Sequence, residues 1–373
     1  MMPDPIALRR ELHRLPELGF LEVKTSELLK KRMAGLGRIE PLGETGFYVD
    51  IGPGDASRTL LLRADMDGLP IQEATGLSYA SIHDGHMHAC GHDGHMAALV
   101  AAAYQVHESL SGDLRVRIFF QPAEEGRGGA RYCIEQGVLQ GVDAAFGLHL
   151  WNELPVGTIA LPDGGVMASV VEFEVTFGGN GGHGALPERA NNPIYAASLF
   201  ADRVGNYALD LEGNGALSVG CIRAGDAFNV IPNSAFVKGT ARAFDGDSDE
   251  AIEQAVRAIG KSIASDRGVD IEVVWKRHHA VTQNSPDFSQ LARDAAHLVS
   301  GIDNVRTDYR TMAGEDFGEI LAEVDGAYAL LGSGKADGTS FPHHSPYFDI
   351  EERALPLAVA LHQEVVRRFG ERR

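Results

Sequence analysis

The stretch HMHACGHDGH, residues 86–95, packs four histidines, one cysteine and one aspartate into ten positions. Imidazole and thiolate are the donors that borderline divalent cations prefer, so the stretch points first to metal chemistry. Cys90 and His92 stand two apart ahead of a helical pattern and can share one space. FFQPAEEG ends an apolar run with paired carboxylates, Glu124 and Glu125; GLHLW delivers His149; SFPHHSPYF offers His343 and His344 ahead of the last helix. LLRADMDG sets Arg63, Asp65 and Asp67 at alternate positions, on one face of an extended chain. Taken singly, these are ordinary features: a satisfied histidine, a solvated acidic turn, a small buried thiol. Together they crowd ionisable groups at successive strand ends, where unpaired charge is costly, and a shared metal site resolves the conflict. Cys90, His92, Glu125, His149 and His344 are five donors, more than one hydrolytic zinc requires. The expected cofactors are therefore two divalent ions (Zn, Mn, Co or Ni) about 3.5–4 Å apart, sharing a bridging water that ionises near neutrality. Glu124 is the expected general base for that water, and Asp67 is expected to orient a ligating imidazole such as His92.

Such residues need a scaffold that brings strand ends together, as open α/β sheets do. Asp4 before Pro5 starts a helix, and a second fits 21–35. Apolar runs at 59–65, 114–120 and 144–150 then alternate with helical patterns at 94–106 and 129–139. That rhythm predicts an α/β fold with a mostly parallel sheet covered on both faces. Near residue 170 it changes: a strand from VVEFEVTFGG, a helix at 192–210, strands at 216–225 and 228–244, a helix at 248–265 and a strand at 270–276. The order β-α-β-β-α-β is that of a ferredoxin-like unit. Helical patterns at 286–299 and 314–324, a strand at 327–334 and a helix at 349–369 restore the first rhythm. The expected organisation is a catalytic domain of residues 1–170 and 283–373, interrupted by an inserted domain of residues 171–282.

The chain has 373 residues, and its formal net charge of −19 repels phosphate backbones and anionic headgroups. No nucleic acid or membrane partner is expected. The absence of a leader-like start and the three scattered cysteines, Cys90, Cys133 and Cys221, lead to an expected cytoplasmic location with reduced thiols.

The ordered motifs LHRLPELGFLEVKT, RADMDGLPI, MHACGHDGHMA, FQPAEEGRGGA, GLHLW, GGHGALP, FNVIPN, GTARAFD, AGEDF and HHSPYF span nearly the whole chain. In these the sequence resembles the dinuclear metallohydrolases related to carboxypeptidase G and aminoacylase, in the branch of hippurate hydrolases, N-acyl-amino-acid amidohydrolases and auxin-conjugate hydrolases. The resemblance assigns the same five metal ligands, with His344 favoured over His343 because it directly precedes the Ser345–Pro346 step, and Glu124 as base. It implies that the insert acts as a dimerisation and lid domain making a homodimer or higher homo-oligomer, and that His183 is lent to the opposite subunit's site to stabilise the oxyanion. Asn229 and Arg242 are then substrate-binding, Arg242 gripping a carboxylate. His86, His88 and His95 stay structural in this reading. Asn180 and Cys133 depart from the residues common in relatives. The implied substrate is a small N-acyl or N-aroyl amino acid, cleaved to a carboxylic acid and a free amino acid. The alternatives are a dipeptidase or carboxypeptidase on the same site, a thiol amidase with Cys90 as nucleophile, and a non-catalytic binding protein.

Overall fold

A computed structural model describes residues 2–211 and 213–372. The chain divides into two compact units: Met1–Val166 with Gln283–Arg310 and Asp316–Arg373, and Met167–Thr282 with Thr311–Glu315. No described helix is long and apolar enough to cross a membrane.

The first unit opens with α1 (Pro5–His13), where the Asp4 carboxylate accepts the Ile6 N–H at 3.0 Å and Pro5 presets the first turn. Then come α2 (Val23–Met33), β1 (Arg38–Leu42), β2 (Gly46–Ile51), β3 (Arg58–Asp65), α3 (His92–Ser109), β4 (Leu114–Gln121), α4 (Gly129–Glu135), β5 (Ala144–Pro155) and β6 (Thr158–Ala160). Short β7 (Gly164–Met167) runs across the first crossing into the second unit. That unit holds β8 (Val170–Gly178), β9 (Gly182–His183), α5 (Pro193–Leu209), β10 (Gly215–Ala224), β11 (Val230–Ile231), β12 (Ser234–Ala243), α6 (Gly246–Arg267) and β13 (Asp270–His279). β14 (Thr282–Asn284) runs across the return, followed by α7 (Pro286–Ala296), β15 (Asn304–Arg306), α8 (Phe317–Leu321), β16 (Asp325–Gly334) and α9 (Ala354–Glu371).

The first unit's sheet has the order β1-β2-β4-β3-β5-β16-β6-β15. Its centre, β4-β3-β5-β16, is parallel throughout, as expected, and antiparallel pairings enter only towards the edges: β1 with β2, β2 with β4, β16 with β6. Leu60, Leu61 and Leu62 on β3 are all fully buried, so both faces of the central strands are covered. Residues 96–103 of α3 are likewise buried all round, and their small alanines admit α1 and α9 closely. The hairpin β1–β2 was not anticipated, and the helix expected over 314–324 shrinks to Phe317–Leu321.

The second unit's sheet has the order β10-β12-β8-β13, antiparallel throughout, with α5 and α6 on one face. Numbered by position in the unit this is 2-3-1-4, the ferredoxin-like arrangement. Val171, Phe173, Val175 and Phe177 of β8 point inward at alternate positions and pack with Phe200, Val204, Ile252 and Val256. The strand expected over 228–244 is broken, because Pro232 offers no N–H to continue the ladder between β11 and β12.

One buried group makes stability sensitive to acid. His362 of α9 lies edge-on to Phe146 at 5.6 Å, its Nδ1 has no hydrogen-bond partner, and burial pushes its pKa down to about 3. The folded protein keeps this ring neutral while the unfolded chain protonates it near 6.5. The penalty is therefore absent above that value and grows as pH falls from 6.5 towards about 3. Relative to the parental protein, His362→Leu should gain about 2 kcal/mol between pH 7 and pH 5. Denaturant titrations at the two pH values check this; a stability difference that does not change with pH contradicts it.

Candidate metal centre

Strand β5, the turn after β4, the turn into α3 and the loop ahead of α9 bring the expected donors together, with His149 inside β5 rather than at its end. Atoms of Cys90, His92 and His149 lie within 4.8 Å of one another, as do atoms of Cys90, Glu125 and His344 and atoms of His92, Glu124 and Glu125. Local backbone explains how. Gly91 adopts φ +89° ahead of α3, turning the chain so that Cys90 leaves the turn as His92 begins the helix. Cys90 Sγ stands 3.5 Å from His149 Nε2. Ala123 takes φ +57° after β4, and this unusual turn is held by Glu22, whose Oε1 accepts the N–H groups of both Ala123 (2.9 Å) and Phe20 (3.0 Å), itself at φ +63°. Burial pushes the Glu22 carboxyl up to about 7.

Asp67 meets the cluster through both its backbone and its carboxylate. Its carbonyl oxygen accepts from His92 Nδ1 at 2.8 Å, orienting the ring and turning Nε2 towards the cluster. Its carboxylate accepts the N–H groups of Glu124 (3.1 Å) and Glu125 (3.0 Å), fixing the acidic pair. The two glutamates do not diverge as adjacent residues on an extended strand would: they sit in a turn, and a carboxylate oxygen of each lies 4.0 Å from His92 Nε2.

The histidine doublet separates cleanly. His344, at φ +64°, places Nε2 3.4 Å from Glu125 Oε1. His343 points elsewhere: Nε2 meets the Leu150 carbonyl at 3.0 Å, the ring stacks on Trp151 at 4.5 Å, and burial pushes its pKa down to about 4. His95, three residues beyond His92 on the same helix face, joins a group with His92 and Asp65 that sequence reasoning did not foresee. Both its ring nitrogens are engaged, Nδ1 with Asp65 Oδ1 at 2.7 Å and Nε2 with the Leu150 N–H at 2.9 Å. Asp65 is in turn held by Arg63 at 2.7 Å, confirming the shared face of Arg63 and Asp65.

The chemistry of this cluster fits divalent cations. Among the described residues nothing hydrogen-bonds the buried His92 Nε2 or Glu125 Oε1, a costly arrangement unless something positive binds there. Burial opposes protonation of His92, yet Asp65, Asp67 and Glu125 outweigh it and push its pKa up to about 10. The site thus demands positive charge, which a cation can supply in place of a proton. Burial, aided by His95 and His343, holds His149 well below the ordinary imidazole range, as a neutral donor. The mixed sulfur, nitrogen and oxygen set suits Zn or its neighbours rather than Mg or Ca.

In the second unit, His183 pairs with Val230 across β9–β11, and the Gly184 N–H donates to the Asn229 carbonyl at 2.8 Å, so His183 and Asn229 are neighbours. Arg242 on β12 donates to Thr240 Oγ1 (2.5 Å) and the Ala241 carbonyl (3.0 Å). Among the described residues no carboxylate pairs with its half-buried guanidinium, and burial lowers its pKa.

A parallel-sheet catalytic fold with a ferredoxin-like insert and a cysteine-histidine-glutamate cluster at the strand ends defines a metallohydrolase class. The chain belongs to peptidase family M20/M25/M40, whose profile matches residues 61–368. It is 38% identical over 358 residues to an N-acetyl-L-cysteine deacetylase of Bacillus subtilis, covering 94% of this chain and 84% of the relative. It is 34% identical over 372 residues to a hippurate hydrolase of Campylobacter jejuni, covering 97% and 95%. A crystal structure of a dinuclear metal-binding peptidase of family M20 from Bacillus subtilis superposes with a TM-score of 0.86 at 33% identity, covering 97% and 96%.

Proposed function

We propose that this chain is an amidohydrolase of N-acyl or N-aroyl amino acids working with two divalent ions of the Zn, Mn, Co or Ni type, held by Cys90, His92, Glu125, His149 and His344. The observation that carries the reading is the pair of donor triads sharing Cys90, with two buried donor atoms lacking partners. Bound there, such ions polarise the scissile carbonyl and lower the pKa of water. Glu124 takes a proton from the attacking water and delivers it to the leaving nitrogen as the amide C–N bond breaks and the new C–O bond forms. His183 of the partner subunit donates to the developing oxyanion, Asn229 approaches the substrate, and the guanidinium of Arg242, which has no carboxylate partner among the described residues, receives the free carboxylate. Asp67 acts through His92 and the two glutamates rather than on substrate. A homodimer through the insert is part of the same reading. It is supported by β10 at the edge of its sheet and by Phe228, Val230 and Tyr195, large exposed apolar side chains around a cavity that Ala224, the last residue of β10, also lines.

The 3.5 Å approach of Cys90 to His149 also suits a thiol nucleophile with an imidazole base. That reading leaves Glu124, Glu125 and His344 without work. Elemental analysis and a substrate panel test the main proposal: hippurate, N-acetyl-methionine, N-acetyl-cysteine, an indole-acetyl amino acid and a dipeptide. Cleavage of at least one N-acyl amino acid, abolished by chelation and restored by added metal, is the expected result. Activity that survives complete metal removal, or failure on the whole panel with metals bound, overturns it.

A further inference from the structure

The first helix is tied to two of the donor-bearing segments. Arg9 is fully buried and donates from Nε to Asp93 Oδ2 at 2.8 Å, from Nη2 to Asp349 Oδ1 at 2.6 Å, and from Nη1 to Tyr79 Oη at 3.0 Å and Glu352 Oε1 at 3.2 Å. Asp93 directly follows His92, and Asp349 lies in the loop that carries His344. One turn along α1, His13 Nδ1 meets the same Asp93 oxygen at 2.8 Å. The two donor segments also touch through backbone, the His344 N–H donating to the Ala89 carbonyl at 2.8 Å. An L-residue persists at φ +64° only where its surroundings over-determine it. Around His344 that constraint comes from the Ala89 bond, from Arg9 on Asp349, and from Asn152 Nδ2 donating to the Asp349 and Phe341 carbonyls.

A cluster serving only to hold α1 down could take its acceptors from anywhere on the domain surface. Two of these acceptors come instead from the residue beside one candidate ligand and the loop of another, segments some 250 positions apart. The planar fork of a guanidinium can span both at once, which an ammonium cannot. We propose that Arg9 is a positioning residue for the metal centre: through Asp93 and Asp349 it locks the CGHDGH turn against the HHSPYFD loop, so that Cys90, His92 and His344 converge before a cation arrives. This rests on the metal-centre reading given above.

The test is cobalt titration of metal-free protein, followed by the thiolate-to-cobalt charge-transfer band and by competition with a chelator. Asp349→Asn strips the charge from one tie at a partly exposed carboxylate, leaving only a neutral amide oxygen to accept, and keeps Arg9 on Asp93; Arg32→Gln, which breaks the surface pair with Glu11, is the control. Cobalt affinity should fall about 10–100-fold in Asp349→Asn, while the Tm of the metal-free protein stays within about 3 °C of parental and Arg32→Gln binds like the parent. Unchanged cobalt affinity alongside a lowered Tm would make the cluster a plain brace and overturn the inference, as would an equal loss in Arg32→Gln. A parental protein that takes up no cobalt would sink the metal-centre reading itself, and is distinguished by showing before any substitution is made.

Discussion

Replacing Glu124 with glutamine lowers kcat on a cleaved N-acyl amino acid by about 10²–10⁴-fold, while KM and metal content stay near parental. The substitution keeps shape and hydrogen-bonding reach but removes the only function asked of the side chain, accepting a proton from water and surrendering it to the amine. Backbone anchoring supports the expectation that the turn survives: the Glu124 N–H is held by Asp67, and the preceding Ala123 by Glu22. Neither bond involves the Glu124 carboxylate. Metal content by elemental analysis and steady-state kinetics on the same preparation form the check. A Glu124→Gln protein with its full complement of metal and an undiminished rate would show that the base lies elsewhere.

The second large effect is expected at Cys90, which joins the Cys90–His92–His149 triad to the Cys90–Glu125–His344 triad. Cys90→Ser exchanges a thiolate for a neutral hydroxyl, and metal affinity should drop by more than the about 10–100-fold that follows loss of an outer partner. Activity disappears at ordinary metal concentrations and partly returns in millimolar cobalt or manganese. The alternative, a thiol nucleophile, forecasts the opposite pattern: metal retained, activity lost, no recovery with excess ion. Dialysis against a chelator buffer, then kinetics across a metal series, separates the two.

Much of this was readable before any coordinates, because the chemistry sits where the patterning is strongest. The placement of Glu124 and Glu125 just after β4 follows from a short apolar run that stops at polar residues, and α3 begins at the glycine-bracketed His92; β5 instead runs on to Pro155, past the expected end of its run, so His149 lies inside the strand. The α5 and α6 helices of the insert follow from clear periodicity and good caps, Asn192 and Asp245. What escaped notice involves partners distant in sequence. Nothing local to Arg9 or His13 says that they meet Asp93, and Glu22 reads as a surface helix residue until it is seen to hold Ala123 a hundred positions on. The turn that aims both glutamates at His92 has no sequence signal either, because a positive φ at an alanine leaves no signature in composition. His95 was read as structural, and its two ring nitrogens, bonded to Asp65 and to the Leu150 N–H, fit that role; its partners are distant in sequence. Choosing His344 over His343 rested on resemblance, and the stacking of His343 on Trp151 supplies a physical reason.

Because the second unit interrupts the first, the order in which parts leave the ribosome matters. The insert is complete once residue 282 has been made, apart from its short 311–315 segment, and can begin folding as a unit. The surrounding unit still awaits β16, which pairs along β5, and the loop carrying His344. A growing chain therefore presents an unfinished sheet edge and an incomplete ligand set until β16 and the His344 loop have been made. Tight uptake of a cation pair would then report, in effect, that the interrupted unit has closed.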